Sequence, residues 1–280
     1  MNKTEYANEV ARILSNELDA VCQVKTVMKN NETEKTGIMV TTNTNTNPVL
    51  YIDELYDSSY SVEEACDKLL DTIDLSGDTM PNADAISQFV KNFESVRDSL
   101  TCRLINLKKN QEYLSDKPYR QVNDLALTYQ IDINSIAPHG VIQITNSLMD
   151  MWEATEEDLF NIVSNGRLNE TEITDFFIPG MDGADFSSVP FKILSTPDKM
   201  YGAIGMLNTD LLDSYYGGQS VFIIPSSVHE CLLLPDNGNC DSLELEAIIR
   251  DVNSTQVTPD EVLSDHAYYY DSNEKTVCCA

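Results

Sequence analysis

Apolar residues return at helical spacing along some stretches of the chain and at every second position along others. Tyr6, Val10, Ile13 and Leu14 share one face of a helix predicted over residues 4–18. Short strands are predicted at 21–28, 37–41 and 49–52, and the polar tract TTNTNTN at 41–47 reads as a loop or hairpin end. Ser61-Val62-Glu63-Glu64 spells a capping box, in which the serine hydroxyl accepts from the amide three residues on and the glutamate returns the bond. Behind it Val62, Ala65, Cys66, Leu69, Leu70 and Ile73 keep the i, i+3, i+4 stripe of a helix. The stretch LSGDTMPNA at 75–83, with Gly77 and Pro81, interrupts the pattern as an exposed connection. A further helix then carries Ile86, Phe89, Val90, Phe93 and Val96 on one face.

A strand is predicted at 102–107. The cleanest alternation of the chain follows: Leu125, Leu127, Tyr129, Ile131 and Ile133 alternate with Ala126, Thr128, Gln130 and Asp132, a strand with one buried face. Residues 140–145 form another strand, and Thr155-Glu156-Glu157-Asp158 opens a helix bearing Leu159, Phe160 and Val163. ITNSLMDMW (144–152) and LNTDLLDSY (207–215) echo one another at a constant offset of 63, and each is expected to be a strand-to-helix corner. Residues 166–190 read as a surface loop. Leu245, Ile248, Ile249 and Val252 mark a helix, Thr258-Pro259-Asp260-Glu261 has the N-cap, first-position proline and capping glutamate of another, and HAYYY (266–270) closes the chain as a strand. Strands and helices mix without regular βαβ alternation. The predicted class is therefore α+β: a mixed or antiparallel sheet with flanking helices, a smaller N-terminal portion (1–98) and a larger C-terminal one (99–280).

Composition narrows the function classes. With 280 residues and 42% hydrophobic content, the chain can bury a core without covalent staples. It has no apolar run of membrane-spanning length, and MNKTEYANEVARIL reads as an amphipathic helix rather than a signal peptide, so the expected location is cytoplasmic. Seven irregularly spaced cysteines, with no Cys-x-x-Cys pair, argue against both a disulfide framework and a zinc site. Cys66, Cys102 and Cys231 sit in apolar runs and read as core residues. No cofactor and no metal is predicted.

The formal net charge is −28, and it is uneven: residues 126–280 hold 25 acids against 5 bases. Direct nucleic-acid binding is disfavoured, because neutralising phosphates needs clustered Lys and Arg, and an anionic membrane repels such a chain. The plain reading is a solvated surface. A functional reading gathers Glu153, Glu156, Glu157, Asp158, Asp210 and Asp213 onto one face that meets a basic host protein.

One stretch looks like chemistry. IIPSSVHECLLLP (223–235) places Ser226, Ser227, His229 and Glu230 between two apolar runs, in a chain with three histidines. A zincin would need a second histidine where Leu233 stands, and a nucleophile elbow would need glycines flanking the serine. Ser227, His229 and Glu230 remain the candidate catalytic residues, weighed against a hairpin turn joining strands 221–224 and 231–234. His139 and His266 show no metal-ligand spacing in sequence, although ligands can converge from far apart.

RLINLKKNQEYLSDKPYRQVNDLALTYQI, IIPSSVHECLLLP and VNSTQVTPDEVLSDHAYYYD closely resemble an uncharacterised family of bacterial proteins, found widely in gut Firmicutes and often on mobile genetic elements. The resemblance covers nearly the whole chain. It implies a domain of unknown function and carries no catalytic residues. The expected function is that of an acidic accessory or protein-interaction protein. The alternatives are a hydrolase with its site around the 225–230 loop and an acidic DNA mimic that inhibits a nucleic-acid-binding protein.

Overall fold

The computed structural model describes residues 1–41, 47–72, 83–135, 140–177 and 189–280. The expected loop centre at 42–46 and most of the expected connection at 75–83 lie outside the described residues. The chain forms two compact units, Met1–Asn92 with Ile133–Gly140, and Phe93–Asp132 with Val141–Ala280. The described residues hold three antiparallel sheets with flanking helices, an α+β fold.

In the first unit, helix α1 (Lys3–Glu17) opens on a capping box that the sequence pattern did not flag. Asn2 Oδ1 accepts from the Glu5 amide at 2.9 Å while Glu5 accepts from the Asn2 amide at 3.0 Å. The pair satisfies first-turn amides that have no partner within the helix. Strands β1 (Val21–Met28), β2 (Glu34–Thr41) and β3 (Val49–Tyr51) follow and pair in sequence order. Helices α2 (Asp53–Asp57), α3 (Val62–Thr72) and α4 (Ala83–Lys91) complete the unit. The Ser61–Glu64 box starts α3 as spelled, with bonds of 2.9 and 3.2 Å. The core joins Tyr6, Val10 and Leu14 of α1 to Ile38 of β2 and to Cys66 and Leu69 of α3. Each large aliphatic buried there contributes roughly 1.5–3 kcal/mol.

The second unit starts with α5 (Phe93–Val96); the helix expected through Val96 is broken at Asn92 into α4 and α5. Next come β4 (Leu100–Asn106), α6 (Gln111–Leu114), β5 (Tyr119–Val122), β6 (Leu125–Asp132) and β7 (Val141–Gln143). In this sheet β6 is central, pairing with β4, β5 and β7. The one-faced burial expected of β6 is corrected: Leu125 to Ile131 are all buried, with Thr128 1% and Gln130 0% exposed. Both faces are covered. Ala126 packs with Ile105 and Leu114 on one side, while the Tyr129 hydroxyl donates to Glu156 on the other.

Two N-capped helices mark the internal echo, α7 (Asn146–Trp152) and α9 (Thr209–Tyr216), with α8 (Glu156–Asn165) between them. Thr145 caps α7 and Asn208 caps α9, each side chain accepting the amide three residues on. The corner before α9 differs from expectation, because residues 202–207 form a 3-10 helix instead of a strand. The expected loop at 166–190 likewise contains a short 3-10 turn at Arg167–Glu170 and strand β8 (Glu172–Asp175), whose single apolar residue gave no alternation to read.

The largest sheet has six strands in the order β13-β12-β10-β11-β9-β8, with β9 at Lys192–Ser195, β10 at Val221–Pro225, β11 at Cys231–Pro235, β12 at Tyr268–Asp271 and β13 at Thr276–Cys279. Helix α10 (Ser242–Thr255) lays Leu245 and Ile249 on this sheet against Phe222 and Ala267. The second helix expected at 258 is a single turn. The Glu261 carbonyl accepts from the Val228 amide at 2.9 Å, which draws the chain onto the β10–β11 hairpin.

Glycine sets one close approach that matters below. A Cβ at Gly202 would lie 2.3 Å from Ser195 Oγ and 2.5 Å from the Thr196 nitrogen. Backbone there cannot retreat without moving β9. Gly202→Ala is therefore expected to lower stability by about 1–3 kcal/mol, the cost of forced overpacking. Urea denaturation compared with wild type measures it, and a change within error would mean that β9 yields.

Candidate functional site

The β10–β11 hairpin forms as the sequence pattern predicts, with Val221 opposite Pro235 and Pro225 opposite Cys231. Its loop is closed by the Ser226 amide donating to the Glu230 carbonyl at 3.1 Å. Within it the candidate residues take partners of their own. Ser227 Oγ accepts from the His229 backbone amide at 3.0 Å. The Glu230 carboxylate accepts from Ser226 Oγ at 3.3 Å. Neither group bonds the His229 ring among the described contacts.

The imidazole is held by residues from elsewhere in the chain. Its Nδ1 accepts from the Tyr201 amide at 3.1 Å, which places the ring proton on Nε2. Nε2 faces Glu261 Oε1 at 3.8 Å, beyond a hydrogen bond. The ring also stacks on Tyr201, with centroids 5.2 Å apart and planes 20° from parallel. The Arg103 guanidinium lies 5.4 Å from the Tyr201 ring, within cation–π range, and donates to the Tyr113 hydroxyl. The Ser195 hydroxyl donates to the His229 carbonyl at 2.8 Å, tying the loop to β9 beside Gly202.

Tyr201 has φ 55°, a left-handed conformation that costs a non-glycine residue on the order of 1 kcal/mol or more. A partly buried cation over-determines it. Arg167 donates to both Asp198 oxygens at 2.8 and 2.9 Å, to the Met200 carbonyl at 2.7 Å and to Glu170 at 3.0 Å. Burial disfavours charge on both Arg167 and Asp198, yet their mutual bonds outweigh it. The guanidinium is pushed above its ordinary range, and the Asp198 carboxyl is held below its own. Arg103, Arg167 and Tyr201 had no local pattern to announce them, and Glu261 stood in the sequence only as the capping glutamate of an expected helix start.

Chemically, a general base needs one imidazole nitrogen open toward a substrate, with the other oriented by an acceptor. Here Nδ1 is covered by a backbone amide and Nε2 faces a carboxylate. His139 lies outside the described residues. His266 lies apart from this loop, against Asp124. Of the acids proposed for one face, Glu156 and Glu157 bond Arg120, Asp158 caps α8 with Thr155, and Asp213 holds Lys275 at 2.7 Å. Glu153 and Asp210 are exposed.

Residues 3–272 match the model of a family described as "Family of unknown function (DUF5688)". No curated protein and no solved structure matches the chain.

The Arg167–Asp198 latch carries a pH signature. Asp198 has a folded pKa below its unfolded value of about 3.9, so its contribution is full above that value and disappears as pH falls through the lowered one. Asp198→Asn should therefore be less stable than wild type at pH 7. The difference should shrink below about pH 4 as the wild-type carboxylate protonates. Chemical denaturation at both pH values measures this, and an unchanged gap at low pH would assign the loss to geometry instead of charge.

Proposed function

The chain belongs to the DUF5688 family of unknown function, and from that premise we propose that it is a cytoplasmic accessory protein that docks a basic partner through the outer face of α10. The carrying observation is the pattern of exposure on that helix. Leu245 and Ile249 anchor it to the sheet, but Ile248 is 59% exposed and Val252 40% exposed, adjacent at i and i+4. Glu244 and Asp251 flank that pair and Asp241 caps the helix, all exposed. Aliphatic contact ringed by carboxylates suits a segment that presents apolar anchors between Lys and Arg, the helix-in-groove type of recognition. The charge of the chain supports the same partner, since complementary fields raise association rates and exclude acidic competitors. The gut Firmicutes and mobile-element setting implied by the resemblance belongs to this proposal, with a host protein as the partner.

The two alternatives have less support. For a hydrolase, Ser227 and His229 would need to meet, and each has another partner. For a DNA mimic, Glu156, Glu157 and Asp213 would need to stand free, and each is paired with a cation. No helix among the described residues is long and apolar enough to cross a membrane.

Ile248→Asp should leave folding within about 0.5 kcal/mol, because the side chain is largely exposed. It should also weaken capture of basic host proteins at least tenfold, or about 1.4 kcal/mol. The check is affinity capture with the full chain at two salt concentrations, followed by hydrogen exchange on α10 with the captured protein added. Protection of α10 that is lost in the variant supports the reading. Equal capture by the variant, or protection only elsewhere, defeats it.

A further inference from the structure

Three residues far apart in sequence meet at the end of the second unit. Asp124 lies in the tight turn joining β5 to β6, next to Asn123, whose φ of 53° makes the turn possible. The Asn123 side-chain Nδ2 donates to the Val277 carbonyl at 3.1 Å, docking this turn on β13. In the β12–β13 ladder Tyr268 pairs with Cys279, so these two side chains share a sheet face. His266, two residues before Tyr268, meets the same carboxylate. His266 Nε2 stands 3.1 Å from Asp124 Oδ2, Tyr268 donates to Asp124 Oδ1 at 2.7 Å, and Cys279 Sγ is 3.9 Å from Asp124 Oδ1.

We propose that Asp124, His266 and Cys279 form a zinc site. One ligand atom from each lies within 4.8 Å of the others, a spread that small side-chain adjustments close around an ion at about 2.0–2.3 Å. The imidazole is already oriented as a ligand: Nδ1 faces the Ala267 carbonyl at 2.8 Å, leaving Nε2 for the ion. That carbonyl is itself fixed, accepting from the Ala280 amide at 3.0 Å. Tyr268 orients the carboxylate in the same way, so two of the three ligands have an outer partner. The donor set selects the metal. One thiolate with one imidazole suits zinc and is poor for magnesium or calcium, which prefer oxygen. Three protein ligands leave a fourth tetrahedral position for water or an external ligand.

The chemistry balances by proton release. On binding, the Cys279 thiol and the His266 Nε2–H that faces Asp124 each give a proton to solvent, and His266 coordinates through Nε2 while keeping its Nδ1 proton toward Ala267. Cys278 is the internal control. Its sulfur contacts the Tyr269 carbonyl at 3.7 Å on the other face of the strand and takes no part.

The test uses the full reduced chain with cobalt(II) as the spectroscopic probe and zinc as competitor. The expected result is a thiolate-to-cobalt charge-transfer band that saturates at one ion per chain and is abolished by zinc. Cys279→Ser should remove the band, Cys278→Ser should keep it, and Asp124→Asn should weaken binding by more than about tenfold. His266→Gln repeats the test at the third ligand, with circular dichroism confirming that each variant is folded. Absence of the band in the folded wild type would overturn the site. So would its survival in Cys279→Ser, or its loss in Cys278→Ser alone.

Discussion

Cations are scarce in the C-terminal part of this chain, and the rest of its structure depends on where they go. Five bases serve 25 acids after residue 125, and all five are engaged within the fold. Arg167 binds Asp198 and Glu170, Lys192 binds Asp175, Arg250 binds Glu246, Lys275 binds Asp213, and Lys199 sits over the Phe177 ring. Exposed pairs of this kind contribute little each. Arg167 is different, because its side chain is only 14% exposed and it donates to main chain as well as to carboxylates. Without it, Met200 and Tyr201 lose the anchor that keeps a left-handed tyrosine against His229.

The helices and strands that could be read in the sequence are those whose signal is local. Ser61 and Glu64 are three residues apart, and their capping box formed as spelled. Thr155 and Asp158 repeat the device on α8. The β10–β11 hairpin was legible because two apolar runs flank a polar turn. What failed was decided by neighbours. Gln130 and Thr128 look solvent-facing by alternation, but β6 is central and covered on both faces. Thr258-Pro259-Asp260-Glu261 has a full helix-start signature. There the segment forms a single turn, and its Glu261 carbonyl accepts from the distant Val228 amide.

The chemistry was less legible than the fold for the same reason. Ser227, His229 and Glu230 attracted attention because they are adjacent, yet adjacency in a turn gave each a separate backbone or hydroxyl partner. The partners of the imidazole, Tyr201 and Glu261, come from outside the hairpin. Asp124 and His266 are 142 positions apart, and Asp124 and Cys279 155. No spacing rule connects such residues. A left-handed Asn123 in a tight turn, and the register that sets Cys279 beside Tyr268, bring them together.

These two features meet in one electrostatic argument. A chain that places its few cations in internal contacts leaves its remaining carboxylates to water, to salt or to recruited positive charge. Screening at physiological salt acts over about 8 Å, so dispersed exposed acids need nothing more. The Asp124 carboxylate is not in that position. It is half-buried, oriented by Tyr268 and faced by an imidazole and a thiol, so its partners are local: the His266 ring at 3.1 Å and, in the proposed site, a zinc ion. The carboxylates around Ile248 and Val252 are solvated but stand beside exposed aliphatic surface. Water satisfies the acids there and leaves the aliphatics unsatisfied, so the partner proposed for α10 would bring apolar groups together with positive charge. The two proposals therefore differ in kind: a small ion suits the enclosed Asp124 carboxylate, and a polypeptide suits the exposed aliphatics of α10.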